Sequence, residues 1–296
     1  MSLRGVFSAV ATPFDANYAV DESGLRTLVE RTVDGGIHGL VPCGSTGEFA
    51  ALSTDERRFV VETVIDQAGG RVPVVAHTGA LATSEAIALS KHAEAAGAAA
   101  VMAVAPFYEP LDLDEVKAYY RAIADAVSVP VMVYNLPVAT GVNLLPHELA
   151  DLASKSPNVK YVKDTTGDFG QAGRLIHDYA EVITTFVGQD TLFFATFFEG
   201  GAGSIVGACN FAAPELVSIY NSILAGDVAT AKREWDTIFP LMQFLVSGGY
   251  VAGVKGALDA LGVSAGPSRA PIAALNDERR TELEGILKKL QLHVKA

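Results

Sequence analysis

The sequence predicts a (β/α)8 barrel, and three observations carry the prediction. Eight short apolar or β-branched runs recur at spacings of roughly 20 to 35 residues, the length of one βα unit. A polar or Gly-containing turn and a longer amphipathic stretch follow these runs, the alternation of α/β proteins. No low-complexity segment or Pro/Gly-rich linker divides the 296 residues. Such barrels routinely form one domain of roughly 250 residues, so length alone does not demand two.

The first strand-like run is 7–12, and Leu25, Leu28, Val29 and Thr32 then share one helical face after Asp21-Glu22-Ser23. The second run, 39–42, precedes Ser53-Thr54-Asp55-Glu56, a capping-box pattern before Phe59, Val60, Thr63 and Val64. Runs at 73–77 and 99–105 lead to helices opened by Thr83-Ser84-Glu85 and spanning 112–126. The fifth run, 130–134, is followed by Pro146, suited to a first helical turn, and the last three runs are 159–163, 182–187 and 203–206. Several runs are nearly continuous in apolar residues, as strands covered on both faces require. After Ala213 come about eighty residues with three helical patterns and no strand. The expected organisation is a barrel over 1–225 and a C-terminal helical extension over 226–296. A doubly wound open sheet is the competing architecture. Its candidate phosphate loop, Gly200-Gly201-Ala202-Gly203-Ser204, lacks both a strand just before it and an acidic residue about twenty positions on.

Composition narrows the function. With 50% hydrophobic and 19% charged residues the chain must bury a sizeable core. Its 22 basic and 34 acidic residues, net −12, argue against nucleic acid and anionic membranes as partners, since both need a basic surface. The charge-free stretch 95–107 is too short to span a bilayer. Cys43 and Cys209 cannot make a disulfide framework, and the six histidines show no zinc-ligand spacing, so a reducing compartment fits best. The N-terminus lacks signal-peptide anatomy, and a cytoplasmic location is expected.

Barrel chemistry sits at the C-terminal strand ends. Four of these ends are rich: Gly44-Ser45-Thr46-Gly47-Glu48, Pro106-Phe107-Tyr108, Tyr134-Asn135-Leu136-Pro137, and Lys163-Asp164-Thr165-Thr166-Gly167-Asp168. Strand alternation separates Lys163 from Val162 and Asp164, so Lys163 points into the barrel if Val162 faces the helices. Burying a lysine is one way to make its amine a Schiff-base nucleophile, although a lysine snorkelling to the barrel mouth is the commoner arrangement. Asp164, on the other side of the strand, reads as a structural hydrogen-bonder. Two hydroxyls and backbone N–H groups between glycines let the 44–48 turn hold a small carboxylate, or make it an ordinary tight βα turn. Tyr134 and Tyr108 end strands where a phenol could relay a proton, or where a core tyrosine would leave its hydroxyl at the rim.

Taken together these motifs resemble the dihydrodipicolinate synthase and N-acetylneuraminate lyase family, pyruvate-dependent class I aldolases on a (β/α)8 barrel. The resemblance spans nearly the whole chain. It runs through Ala11-Thr12-Pro13-Phe14, the 44–48 motif, His77-Thr78-Gly79-Ala80, Tyr134-Asn135-Leu136-Pro137 and the 162–168 motif to Gly188-Gln189-Asp190 and Val254-Lys255-Gly256-Ala257-Leu258. It implies that Lys163 forms the imine with a 2-keto acid, that Tyr134 is the general acid/base, and that Ser45 serves the proton relay. Thr46, beside Gly47, takes the place of the pyruvate-carboxylate binder. Tyr108 matches a tyrosine that reaches into a neighbouring subunit's site, which implies a homodimer or, more typically, a homotetramer built as a dimer of dimers. Ile205 matches the apolar residue near bound pyruvate, while Gly188, Gln189 and Thr165 would meet the rest of the substrate.

Departures from the pattern point within the family. Dihydrodipicolinate synthases typically carry an arginine two residues after the proline of the fifth-strand motif, where this chain has Ala139. A lost bidentate guanidinium is hard to replace. The sialic acid lyase pattern fails at Thr191 and Gly207. Lys163 to Asp168 is most similar to the 2-keto-3-deoxy sugar acid aldolases. His77 stands in place of a glycine and would either line the site or serve structure. The expected function is a Schiff-base lyase that cleaves or forms a 2-keto-3-deoxy or 4-hydroxy-2-oxo acid from pyruvate and an aldehyde, with the imine as electron sink and therefore no metal or organic cofactor needed. Alternatives are a 2-keto-3-deoxy sugar acid dehydratase, dihydrodipicolinate synthase or N-acetylneuraminate lyase proper, and a non-catalytic ligand-binding relative.

Overall fold

A computed structural model describes residues 2–263 and 265–290. In chain order the elements are β1 (Gly5–Ala9), α1 (Glu22–Asp34), β2 (Gly39–Val41), α2 (Thr54–Ala68), β3 (Val75–His77), α3 (Thr83–Ala96), β4 (Ala100–Val104) and α4 (Leu113–Ala126). There follow β5 (Val131–Asn135), α5 (Pro137–Thr140), α6 (Pro146–Lys155), β6 (Val159–Asp164), α7 (Phe169–Asp178), β7 (Thr184–Val187), α8 (Phe193–Phe198) and β8 (Gly203–Val206). The chain continues through α9 (Cys209–Leu224), α10 (Val228–Val246), α11 (Tyr250–Ala260) and α12 (Asp277–Leu290). The strands form one eight-stranded parallel sheet in the order β2-β1-β8-β7-β6-β5-β4-β3, the succession of a nearly closed (β/α)8 barrel.

All eight expected strands are present, with shifted ends. β1 ends at Ala9; Val10 N–H still donates to Val41 O at 3.0 Å, and Ala11 N–H then leaves the ladder for a side chain, Asn210 Oδ1, at 3.0 Å. The expected helix starts hold. Ser53 and Glu56 form the reciprocal capping box of α2, Asp112 and Glu115 that of α4, Asp21 caps α1, and Pro146 opens α6. The sequence pattern places the last helical series after Ala213, whereas α9 starts at Cys209 and tolerates Pro214 by a kink at Ala212, φ −125° and ψ 34°. A ring at 214 cannot supply an N–H or fit a straight preceding turn.

Two compact units are distinguishable. One holds Pro73–Ile205 and the residues up to Arg4. Its strands β4 and β5 are buried at every position, as parallel strands packed on both faces must be. The other holds Gly5–Val72 and the chain from Val206 onward. There Leu25, Leu28 and Val29 of α1 are buried, each burial worth about 1.5 to 3 kcal/mol. No helix among the described residues is long and apolar enough to cross a membrane.

Candidate active site

Among the described residues three lysines are buried: Lys117, Lys163 and Lys255. Lys117 pairs with Asp151 at 3.2 Å and Lys255 with Glu48 at 2.7 Å. Lys163, 5% exposed near the end of β6, has no carboxylate within ion-pair distance among the described residues. Its Nζ instead lies 4.2 Å from the centre of the Tyr134 ring. β5 and β6 pair in parallel with Tyr134 opposite Lys163, so both side chains project from the same face of the sheet. His77, ending β3, meets Tyr134 edge to face, with ring centres 6.1 Å apart at 90°. The structure thus brings Lys163, Tyr134 and His77 together.

Backbone geometry keeps this lysine in place. Gly188 N–H donates to Asp164 O at 2.8 Å, bringing the end of β7 against β6. A Cβ at Gly188 would collide with Lys163 Cε and with Thr165 Oγ1, so only glycine leaves room for the lysine side chain. Thr165 N–H donates to Asn135 O at 2.9 Å, and its buried hydroxyl has no hydrogen-bond partner among the described residues. Gln189 follows Gly188 and leads into a short 3-10 turn, Asp190–Leu192. Ile205 on β8 is buried.

Asp164 turns away from the lysine and accepts from Thr166 N–H and Thr166 Oγ1, both at 3.2 Å, shaping the turn after β6. Burial pushes its carboxyl up from 3.8 to about 6, against the pull of those hydrogen bonds. Tyr108 lies in the loop after β4, 79% exposed, and makes no hydrogen bond to a described residue.

Ser45, Thr46 and Gly47 belong to the other unit, in the loop after β2. Cys43 and Glu48 flank the loop with φ of 57° and 56°, a left-handed conformation at both ends. Thr46 is buried, and Gly47 O accepts from Thr12 Oγ1 at 2.7 Å. Burial pushes the Cys43 thiol up to about 12, which leaves it no thiolate nucleophilicity at neutral pH. Among the described residues no three His, Cys, Asp or Glu side chains converge as a metal site.

Sequence reading overlooked the partners of Glu48 on α11 and at Arg269, and the contact of Gly188 with Lys163. The signals available were two unlabelled motif members, Glu48 and Lys255, on segments far apart in the chain.

Comparison with known proteins places this architecture. The profile of the dihydrodipicolinate synthetase family matches residues 2–290. A 4-hydroxy-tetrahydrodipicolinate synthase of Phenylobacterium zucineum is 40% identical over 280 residues, 95% of each chain. One from Methanospirillum hungatei is 38% identical over 96% of this chain and 98% of its own. A prophage protein of the same family from E. coli K12, solved in complex with pyruvate, superposes with a TM-score of 0.93 at 31% identity, covering 98% of this chain and 99% of its own. The chloride-inhibited dihydrodipicolinate synthase of Acinetobacter baumannii, also complexed with pyruvate, gives 0.94 at 32% identity over 98% and 100%. Fold and relatives define a (β/α)8-barrel enzyme of the carbon–carbon lyase class. The chain belongs to the dihydrodipicolinate synthetase family.

Proposed function

We propose that the chain is a pyruvate-dependent class I aldolase whose Schiff base forms on Lys163. The observation that carries the reading is the contrast among the buried lysines: two are neutralised by carboxylates, and Lys163 is held by an aromatic face alone. A carboxylate partner ties a lysine nitrogen into an ion pair, whereas a ring face attracts it more weakly and places no counter-ion between the nitrogen and an incoming carbonyl.

In this reading Nζ of Lys163 attacks C2 of the keto acid to give a carbinolamine, whose hydroxyl takes the Tyr134 proton and leaves as water, giving the iminium and a Tyr134 phenolate. In the cleavage direction the C4 hydroxyl gives its proton to the Tyr134 oxygen. The C3–C4 bond breaks, its electron pair enters the iminium to form an enamine, and C4 leaves as an aldehyde. Protonation at C3 and hydrolysis release pyruvate and the free lysine. Ser45 serves the proton relay, and Thr46 with Gly47 N–H receives the substrate carboxylate. Thr165, Gln189 and Gly188 meet the remaining substrate, and Ile205 covers the methyl end of pyruvate. Tyr108, exposed in one copy of the chain, serves the site of a second copy in a homotetramer built as a dimer of dimers. Incubation with pyruvate and borohydride should add one reduced three-carbon unit at Lys163 and none to Lys163→Ala. Labelling at Lys160 or Lys255, or an active Lys163→Ala, overturns the assignment.

For the aldehyde, we infer a neutral hydroxyaldehyde that yields a 2-keto-3-deoxy acid. Ala139 lies on α5 and offers a methyl group where a second carboxylate would need a guanidinium. Within Pro73–Ile205 the arginines are Arg121 and Arg174, on helices α4 and α7 rather than on a loop after a strand. The names of the relatives favour a second reading, 4-hydroxy-tetrahydrodipicolinate synthase, whose aldehyde carries its own carboxylate.

A further inference from the structure

The loop that carries Ser45 and Thr46 is braced by the other end of the chain. The Glu48 side chain is fully buried. One of its carboxylate oxygens pairs with Lys255 Nζ on α11 at 2.7 Å, and the other accepts from Arg269 N–H at 2.8 Å, across 221 residues of sequence. Lys255 Nζ also donates to Pro267 O at 2.9 Å and lies 4.2 Å from the centre of the Phe14 ring. The Arg269 guanidinium stacks on that same ring at 4.3 Å. It donates to Ala51 O at 2.7 Å, to Tyr18 O, and to Glu56, which caps α2. Phe14 N–H reaches Ala265 O at 3.1 Å, and a Cβ on Gly266, at φ +65°, would strike Phe14 O. The C-terminal end of the 44–48 loop is therefore fixed: Gly47 by Thr12, and Glu48 by Lys255 and Arg269.

A buried ion pair is a poor source of stability, since desolvation of both charges offsets their attraction. What it supplies is one geometry. Glu48 sits in a left-handed conformation that costs a non-glycine residue about 1 kcal/mol or more, and such a conformation persists only where its surroundings impose it. Donors that bind an anion work best when their orientation is set before the anion arrives.

We propose that the Glu48–Lys255 pair is a positioning element: it holds the Thr46 hydroxyl and the loop N–H groups ready for the substrate's carboxylate, so that α11 sets pyruvate affinity without touching pyruvate. This rests on the reading of Thr46 as the carboxylate binder. Because the pair acts on carboxylate recognition and not on imine chemistry, its loss should separate two ketones that differ only in the carboxylate.

The test measures the concentration giving half-maximal borohydride trapping at Lys163 for pyruvate and for methyl pyruvate, which keeps the ketone and lacks the charge. In the double variant Glu48→Gln/Lys255→Met no charge is left orphaned, and the amide still accepts from Arg269 N–H. The pyruvate value should rise at least about tenfold and the methyl pyruvate value by less than about twofold, with full trapping at saturation. Lys255→Arg should recover most of the loss. Glu48→Gln alone, the mildest change, should give a smaller rise of about threefold with the same selectivity and serves if the double variant does not fold. Equal shifts for the two ketones, or none for either, overturn the proposal as a role in folding alone. Wild-type protein that traps neither ketone refutes the Lys163 reading instead, and equal wild-type affinity for both refutes the carboxylate role of Thr46; either removes the basis of the inference.

Discussion

Tyr134 and Lys163 stand opposite each other on neighbouring parallel strands, with the lysine nitrogen 4.2 Å from the ring centre. A desolvated contact of this kind is worth up to about 2 kcal/mol, enough to orient a side chain that has no carboxylate partner. It also keeps the phenol beside the nitrogen without a covalent or ionic tie. In the proposed mechanism the pair unites a nucleophile with a group able to move protons around it.

Replacement of Tyr134 by Phe keeps the ring face and removes the hydroxyl. Turnover should fall by roughly 10² to 10⁴, the range of a positioned acid/base, while borohydride trapping of pyruvate persists at a lower rate. Steady-state kinetics alongside trapping separates the two effects. Complete loss of trapping in a folded variant would show that the hydroxyl is required for imine formation itself and would overturn its assignment to the later proton transfer alone.

Gly188→Ala places a methyl group against Lys163 Cε and Thr165 Oγ1. The lysine must change rotamer, so the rate of imine formation should drop at least about tenfold, whereas relief by rotation keeps the stability loss within the 1 to 3 kcal/mol usual for overpacking. Trapping kinetics and urea unfolding on one preparation give both numbers. An unchanged trapping rate would mean that Lys163 reacts from a conformation clear of Gly188.

The raised carboxyl of Asp164 gives a pH dependence of defined sign. The folded state holds its proton up to about pH 6, against about 3.8 for the free side chain, so the folded form loses stability as pH rises through that window. Asp164→Asn mimics the protonated state. It should match wild type near pH 4 and exceed it by about 2 to 3 kcal/mol at pH 7, as read by denaturant unfolding at each pH. A constant difference between the two proteins across the window would show that Asp164 does not titrate there.

Aldehyde choice tests the role of Ala139. With pyruvate in excess, glyceraldehyde should have the higher kcat/KM, and aspartate semialdehyde should lag by at least about a hundredfold, since a carboxylate without a matched donor costs several kcal/mol. Comparable or better use of aspartate semialdehyde would return the chain to the synthase reading favoured by its relatives' names.

The sequence by itself determined the barrel, because strand and helix periods are local properties: the 3.6-residue pattern of 25–32 and the capping box at Ser53 and Glu56 need no distant partner to be read. It also determined the family, through the order and spacing of motifs, and marked Lys163 and Tyr134 as adjacent strand ends. Tertiary structure decided what those residues touch. That Lys163 has a ring and, among the described residues, no carboxylate, while Lys255 has Glu48, depends on register between strands and on contacts across more than two hundred residues, which no local pattern encodes. Gly188 shows the same limit. Its need for a missing side chain arises only when β7 is laid against β6 and the lysine fills the space between them.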